Sequence, residues 1–277
     1  MESQLPPGLH IVATPIGNLG DLSPRAANTL RNANQILVED TRVTAKLLAH
    51  IGAKVPMMRY DDHSSEAERD SIVARLGSEA IALVSDAGTP LISDPGYKLV
   101  RAARAAGHAV HTVPGPSAAI AALTLAGLPT DRFLFLGFLH AKAKARSDAI
   151  AEIASVRATL VFYESGPRLA DTLAALGDLL GPREAAIVRE ISKLHEECVT
   201  GTLPELAERY AERPPKGEIV IAVGPPAAAG AVGNDELDIA LDEALSRLSP
   251  SRAAAEVAET LNVPRKRAYS RALERSK

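Results

Sequence analysis

The feature that most narrows the folds open to this 277-residue chain is an alternation: a short apolar run, a tight turn of Gly, Pro, Ser and Asp, then a helix-like stretch. Through the first half it recurs behind the runs His10 to Thr14, Gln35 to Asp40, Pro56 to Tyr60, Ile81 to Asp86 and Ala109 to Val113. Strands and helices alternating at these lengths predict a largely parallel sheet covered on both faces. Ser23-Pro24 and Asp94-Pro95 each place a capping oxygen before a proline suited to a first helical turn. In such a sheet ligands bind outside the carboxyl ends of the strands, so the turns are the place to look for a site.

A second series follows Gly127-Leu128-Pro129, with strands expected at Phe133 to Phe138, Thr159 to Glu164, Ala186 to Glu190, Cys198 to Thr202 and Glu218 to Val223. A short polar segment separates the third and fourth, which predicts an antiparallel hairpin and a mixed sheet. The expected organisation is a first α/β domain over 1–126, a second over 127–225, a linker over 226–234 and a helical tail over 235–277. In the tail, Leu237, Leu241, Ala244, Leu245 and Leu248 make a helical stripe, and a second helix capped by Ser249-Pro250 presents Ala254, Val257, Ala258 and Leu261. After the break at Asn262-Val263-Pro264, a third helix is expected to turn Ala268, Ala272 and Leu273 inward. Arg267, Arg271 and Arg275 recur every four residues and form one basic edge. With Arg265, Lys266 and Lys277 the last segment carries six cations against the single acid Glu274. This pattern suits either a helix-turn-helix that meets nucleic acid or a solvated face on a small bundle.

Aromatic residues are only 3% of the chain and Trp is absent, so Ala, Val, Leu and Ile must fill the interior, which suits close helix-to-sheet approach. The lone Cys198 rules out an intramolecular disulfide, and no Cys/His spacing resembles a zinc site, so no metal is expected. Met1 to Gly8 lacks the basic-then-apolar order of a signal peptide, and no apolar run approaches the roughly 20 residues of a membrane span. A cytoplasmic protein is expected. A net charge of −3 gives no global attraction to nucleic acid, leaving only local patches to provide it.

Gly17-Asn18-Leu19-Gly20 has Gly-x-x-Gly spacing and lacks the dinucleotide fingerprint; no triphosphate loop occurs either. Ser85 to Gly96 is the densest turn: backbone amides at Ala87-Gly88 can approach a carboxylate, Thr89 offers a hydroxyl, and Asp86 can accept from an amine or a ribose hydroxyl. Pro114-Gly115-Pro116-Ser117 opens a helix with little side-chain bulk, against which a flat or extended ligand can lie.

Taken together and in order, Val12 to Asn18, Glu39-Asp40-Thr41-Arg42, Ser85 to Pro95, Pro114 to Ser117, Phe162-Tyr163-Glu164-Ser165 and Lys216-Gly217-Glu218 resemble the bacterial ribosomal RNA small subunit methyltransferase I family of the tetrapyrrole methylase superfamily. The resemblance covers nearly the whole chain. It implies S-adenosyl-L-methionine as cofactor, in a cleft between two α/β domains. Pro15, Ile16, Gly17, Asp86, Ala87, Gly88, Thr89, Ile92, Ser117 and Ala118 are its expected contacts in the first domain, with Glu164 and Lys216 in the second. Many tetrapyrrole methylases carry Gly-Asp-Pro where this chain has Gly88-Thr89-Pro90, so the acceptor need not be a tetrapyrrole. The family implies 2'-O-methylation of a cytidine ribose in the decoding region of 16S rRNA, alone or in the small ribosomal subunit, and the superfamily suggests a homodimer. The basic tail, with Arg265, Lys266, Arg267, Arg271 and Arg275, is the expected RNA contact.

Methyl transfer from a sulfonium needs an in-line nucleophile, so alignment supplies much of the rate, and a base adds to it by taking the ribose proton. Candidates near the expected cleft mouth are Asp40 and Arg42 after the second strand and His63 in the loop Asp61-Asp62-His63-Ser64-Ser65, with His63 as base and Arg42 as phosphate holder. Equally, Asp40 and Arg42 form an ion pair that fixes the turn, and His63 is an exposed loop residue. Arg189-Glu190 is a similar open pair. Two other readings fit the residues: a small-molecule methylase of tetrapyrrole or diphthine type, and a non-catalytic RNA-binding protein.

Overall fold

The computed structural model describes residues 5–61, 63–226, 233–261 and 263–276. Asp62, linker residues 227–232, Asn262 and Lys277 lie outside them. The chain divides into two compact units, Met1–Gly224 and Pro225–Lys277. Two sheets make up the first unit.

The first sheet holds β1 (Gly8–Val12), β2 (Gln35–Val38), β3 (Met57–Arg59), β4 (Ala80–Leu83) and β5 (Val110–Val113) in the order β3-β2-β4-β1-β5. Every pairing is parallel. β1 and β4 are buried along their whole length because helices cover both faces. On one face α1 (Pro24–Asn32) and α2 (Thr41–His50) pack Ala26, Leu30, Leu47 and Leu48 on Val12, Ile36 and Val38. On the other, α3 (Glu66–Arg75) and α4 (Tyr97–Ala105) pack Ile72, Leu99 and Ala103 on Leu9, Leu37 and Ile81.

Ser23 caps α1 as its Ser-Pro sequence predicts, its hydroxyl accepting from the Ala26 amide at 3.0 Å. Asp94 does not cap α4. That helix starts at Tyr97 behind Gly96, whose φ of 127° suits glycine, and Asp94 stays in the preceding turn.

α5 (Ala118–Ala126) follows β5 in sequence but lies on the second sheet, where Ala119, Ala122, Leu123 and Ala126 meet Val161, Ala186, Val188, Val220 and Ala222. Alanine on both sides permits this approach. The second sheet comprises β6 (Phe133–Phe138), β7 (Thr159–Ser165), β8 (Glu184–Arg189), β9 (Glu197–Thr202) and β10 (Glu218–Val223) in the order β6-β7-β10-β8-β9. β6 and β7 are parallel, the other pairs antiparallel, and β8-β9 is the expected hairpin. Its far face is covered by α6 (Ala143–Ile153), α7 (Leu169–Leu180) and α8 (Leu203–Ala211), with Phe162 fully buried among Leu169, Leu173 and Leu206.

The second unit consists of α9 (Asn234–Leu245), α10 (Pro250–Thr260) and α11 (Arg265–Arg275) around a core of Leu237, Leu241, Ala253, Ala254, Val257, Ala268 and Ala272. Leu273 departs from the expected pattern. It is 41% exposed, because Ala268 and Ala272 already fill the face turned to the core.

Truncation of the central β7 side chain, Phe162→Ala, is expected to cost about 3–5 kcal/mol through lost transfer energy and the residual cavity. Urea denaturation should show it as a lower midpoint with an unchanged slope.

Candidate functional site

The chain leaves β2 toward β3 and β4 toward β5, in opposite directions, so the carboxyl ends of these neighbours diverge and open a crevice. The turns of the first sheet are bonded to one another there. Thr14 and Gly88 exchange both backbone hydrogen bonds, Thr14 N to Gly88 O at 2.8 Å and Gly88 N to Thr14 O at 3.1 Å. The Thr89 hydroxyl donates to Pro116 O at 2.9 Å, which adds the turn after β5. Gly115 has to be glycine, since a Cβ there would lie 2.9 Å from the Ala13 Cβ. The Gly88 amide, expected to face a ligand carboxylate, is instead spent on Thr14.

A cavity of about 390 Å³ opens above these turns, within the range of small-molecule sites. Ile16, Asp86, Ala87, Gly88, Thr89, Ile92, Ser117, Ala118 and Glu164 line it, together with Asp94, Phe138, Tyr163, Ile191, Glu218 and Val220. Pro15 and Gly17 instead line a second cavity of about 320 Å³ that also includes Lys46, Lys193, Asp86 and Glu218. The β8-β9 connection walls it: the Ser192 hydroxyl donates to Asp21 at 2.5 Å, and Lys193 lies so close over Gly17 that a Cβ would come within 2.4 Å of it.

Lys216 lines neither cavity; it is exposed, while its neighbours Gly217 and Glu218 reach the first. Glu164 lines the cavity, but strand alternation sends its side chain to the opposite face. There it accepts from the Thr172 hydroxyl at 2.7 Å and from the Ser165 amide at 2.8 Å, and lies 3.4 Å from Arg168. Its carboxylate is thus committed to the fold. Tyr163, one residue earlier, is the side chain facing the cavity, bonded to Ser117 and the Ala119 backbone; burial raises its pKa.

Asp40, Arg42 and His63 line neither cavity. Asp40 caps α2 by accepting from the Arg42 amide at 2.8 Å, and the Arg42 guanidinium forks onto it at 2.6 Å, which holds its carboxyl at about 2. The turn-fixing reading is therefore the one the geometry bears out for Asp40, and its carboxylate is a weak base. It also touches the site indirectly, its amide donating to Asp86 at 3.1 Å. His63 is exposed, its amide held by Asp61 at 2.8 Å.

Asp94 is the titratable group that sequence reasoning missed. Half-buried in the cavity wall, it is pushed up to about 6 by burial, with Asp86 adding to the shift and a hydrogen bond to Ser85 opposing it. Leu91 and Ser93 beside it hold φ of 73° and 65°, left-handed values that non-glycine residues adopt at a cost. Its signal lies in the same dense turn, where Asp94-Pro95 has the sequence of a helix cap but the helix starts only at Tyr97.

In the second unit, Arg271 forks onto Asp238 at 2.6 and 2.7 Å and reaches Glu274 at 2.8 Å, while Arg275 joins Asp242 and Asp238. The arginines hold both aspartates below the usual carboxylate range. Arg267 donates to Asn234 at 2.9 Å. The basic edge is thus largely a seam between α11 and α9, and Arg265 and Lys266 are its exposed cations without an ion pair among the described residues.

Residues 8–207 match the family of Tetrapyrrole (Corrin/Porphyrin) Methylases, and residues 231–276 match the RsmI C-terminal HTH domain. A protein of Erythrobacter litoralis named ribosomal RNA small subunit methyltransferase I is 55% identical over 270 residues, 98% of this chain and 96% of its own. The chain belongs to that family. Among solved structures, diphthine synthase shares the fold with a TM-score of 0.62 at 15% identity, covering 78% of this chain and 89% of its own. Uroporphyrin-III C-methyl transferase from Thermus thermophilus, complexed with S-adenyl homocysteine, does so with a TM-score of 0.54 at 23% identity, covering 78% and 97%.

S-adenosylmethionine is the methyl donor of this methyltransferase family. The cavity suits it chemically, since its lining combines apolar side chains such as Ile16, Ile92, Ile191 and Val220 with the carboxyl groups of Asp86 and Asp94, a combination that fits a ligand with an apolar ring and positive charge. Gly88 holds φ of 81°, and an added Cβ would meet Ile16 at 3.3 Å. Gly88→Val should therefore weaken S-adenosylmethionine binding at least about ten-fold by distorting the turn, for a strain of about 1–2 kcal/mol that leaves the chain folded. Calorimetry alongside circular dichroism checks both; wild-type affinity would remove this turn from the site.

Proposed function

We propose that the chain transfers the methyl group of S-adenosylmethionine to the 2'-hydroxyl of a cytidine ribose in the decoding region of 16S rRNA, in the cytoplasm, as a homodimer and without a metal. The observation that carries this reading is the conjunction, in one chain, of an anionic cavity at the tied strand-end turns with a three-helix unit that matches the family's own C-terminal domain and opens its last helix with the exposed cations Arg265 and Lys266. A named relative in Erythrobacter litoralis matches nearly end to end. In the larger cavity Ile16, Gly88, Thr89, Ile92, Ser117 and Ala118 are the proposed cofactor contacts, with Asp86 and Asp94 as the charged ones.

The bound cofactor supplies an electrophilic methyl on sulfur. The residues align the ribose hydroxyl with it and accept its proton. Asp94 is proposed as the base in place of His63 and Asp40, since its raised carboxyl sits in the cavity and is ionised above pH about 6. For Arg42 the proposed role remains that of holding phosphate, through the face of its 87% exposed side chain not forked onto Asp40. The runner-up is a small-molecule methylase, favoured by the fold likeness to diphthine synthase; the C-terminal helical unit has no part to play in it.

A mass-spectrometric map of ribose methylation in small-subunit rRNA, with and without this gene product, tests the reading. Purified protein should pass label to that rRNA, and label passing to a porphyrinogen with none in RNA would overturn the acceptor. Deleting 234–277 should weaken RNA methylation while sparing cofactor binding, and light scattering reads the dimer.

Asp94→Asn should lower kcat by about 10²–10⁴, with S-adenosylmethionine still bound but less tightly, since one opposing charge is lost. The wild-type kcat/KM, which follows the free enzyme, should rise with pH through about 6, and the variant should lose that limb. Because the folded pKa is raised, the stability Asp94 contributes is present at low pH and lost as pH rises through about 6. The variant should therefore melt higher than wild type near pH 8. In the tail, Arg265→Glu with Lys266→Glu should raise the Kd for rRNA without lowering Tm, whereas Arg271→Ala should lower Tm, since its carboxylate partners lose their cation.

A further inference from the structure

We propose that the segment from Phe138 to Lys144, at the rim of the larger cavity, is the landing site for single-stranded RNA, with a base stacked on Phe138 and a flanking phosphate on Lys142. The inference rests on the RNA acceptor proposed above and adds where the polynucleotide meets the cavity.

It starts from an irregularity in β6. That strand pairs with β7 as Phe133↔Thr159, Leu134↔Leu160 and Phe135↔Val161, but the next pair is Phe138↔Tyr163: three steps on one strand against two on the other. The extra residue is a bulge, a device that re-aims side chains beside active sites. Gly137 holds φ of 62° there, and a Cβ would fall 2.8 Å from the Ser93 hydroxyl. The bulge turns Phe138 outward: it is 57% exposed, lines the cavity, and meets Tyr163 edge-on at 5.6 Å between ring centroids.

The chain behind it is anchored. Leu139 dips into the core, and its carbonyl accepts from Arg168 at 2.6 Å, the same arginine that lies 3.4 Å from buried Glu164. Glu164 and Arg168 thus act as positioning residues for the rim. Beyond the anchor His140 and Lys142 are exposed, Lys142 with no ion pair among the described residues, and Lys144 pairs with Asp148 at 3.3 Å.

Charge differs between the cavity and the segment that leaves it. Asp86 and Asp94 line the cavity and repel phosphate, whereas Lys142 and Lys144 are exposed, four and six residues past Phe138, and are not among the lining residues. A polyanion is held at the edge under those conditions, and an uncharged ribose hydroxyl is the part of it that can enter. Stacking on one aromatic ring together with a cation on the backbone is the usual recipe for single-stranded nucleic acid.

The test is steady-state methylation of small ribosomal subunits that lack the modification, with full-length protein. Phe138→Ala should raise KM for RNA roughly ten- to hundred-fold, the range of one lost base stack. Phe138→Tyr should retain wild-type KM and Phe138→Leu should not, which separates stacking from apolar packing. Lys142→Ala should reduce the slope of log KM against log salt by about 0.7, the value for one contact to a single strand, and Lys142→Arg should restore it. Calorimetric affinity for S-adenosylmethionine should be unchanged in all five variants. An unchanged RNA KM in both alanine variants, or a loss of cofactor affinity that matches the loss of RNA affinity, overturns the rim proposal while wild-type methylation still stands. No methylation of subunits or rRNA by wild type overturns the underlying acceptor reading instead.

Discussion

The reciprocal backbone pairing of Thr14 with Gly88 is the constraint from which the site follows. Parallel strands leave their turns unpaired at the carboxyl edge, and each turn would otherwise take its own course. Pairing two of them, and tying the third through Thr89 and Pro116, makes three segments distant in sequence into one platform. The platform then sets the position of Ile16, Asp86 and Ser117 together. It also explains why glycine recurs there: Gly88 for its left-handed φ, Gly115 for its contact with Ala13.

Above the platform the site works by distributing charge. Asp86 and Asp94 face a cavity lined in large part by apolar side chains, and burial leaves Asp94 far less acidic than an ordinary aspartate. A cationic ligand relieves that cost. The strained φ values at Leu91 and Ser93 belong to the same turn, so conformational strain and electrostatic strain are stored in one place. Such a turn is costly for stability, and the covered sheet beneath it supplies the margin.

Most of this architecture was readable in the residues. Both sheets appear as apolar runs, but β1, β2 and β4 stop two or three residues before the expected ends, because the ladder partners end there and the following Thr14, Glu39-Asp40 and Ser85-Asp86 already belong to the turns. The attachment of α5 to the second sheet was not readable, since alanines pack against either sheet equally well. Glu164 shows a signal misjudged: period-two alternation along β7 already puts it on the face opposite Tyr163. Asp94 shows one signal hiding another, since Asp-Pro resembles a helix start yet α4 begins at Tyr97. Asp40 and Arg42 left two readings open that only distances separate.

The seam between α9 and α11 has a consequence for how the tail meets a polyanion. Arg271 and Arg275 are spaced to match Asp238 and Asp242, and each pair is neutral before any ligand arrives. Only a cation that displaces condensed counterions from a phosphate gains the entropy of their release. A helix that spends its arginines on its neighbour forgoes most of that entropy. The charge still open on that helix sits at its start, where Arg265 and Lys266 are exposed and carry no ion pair among the described residues.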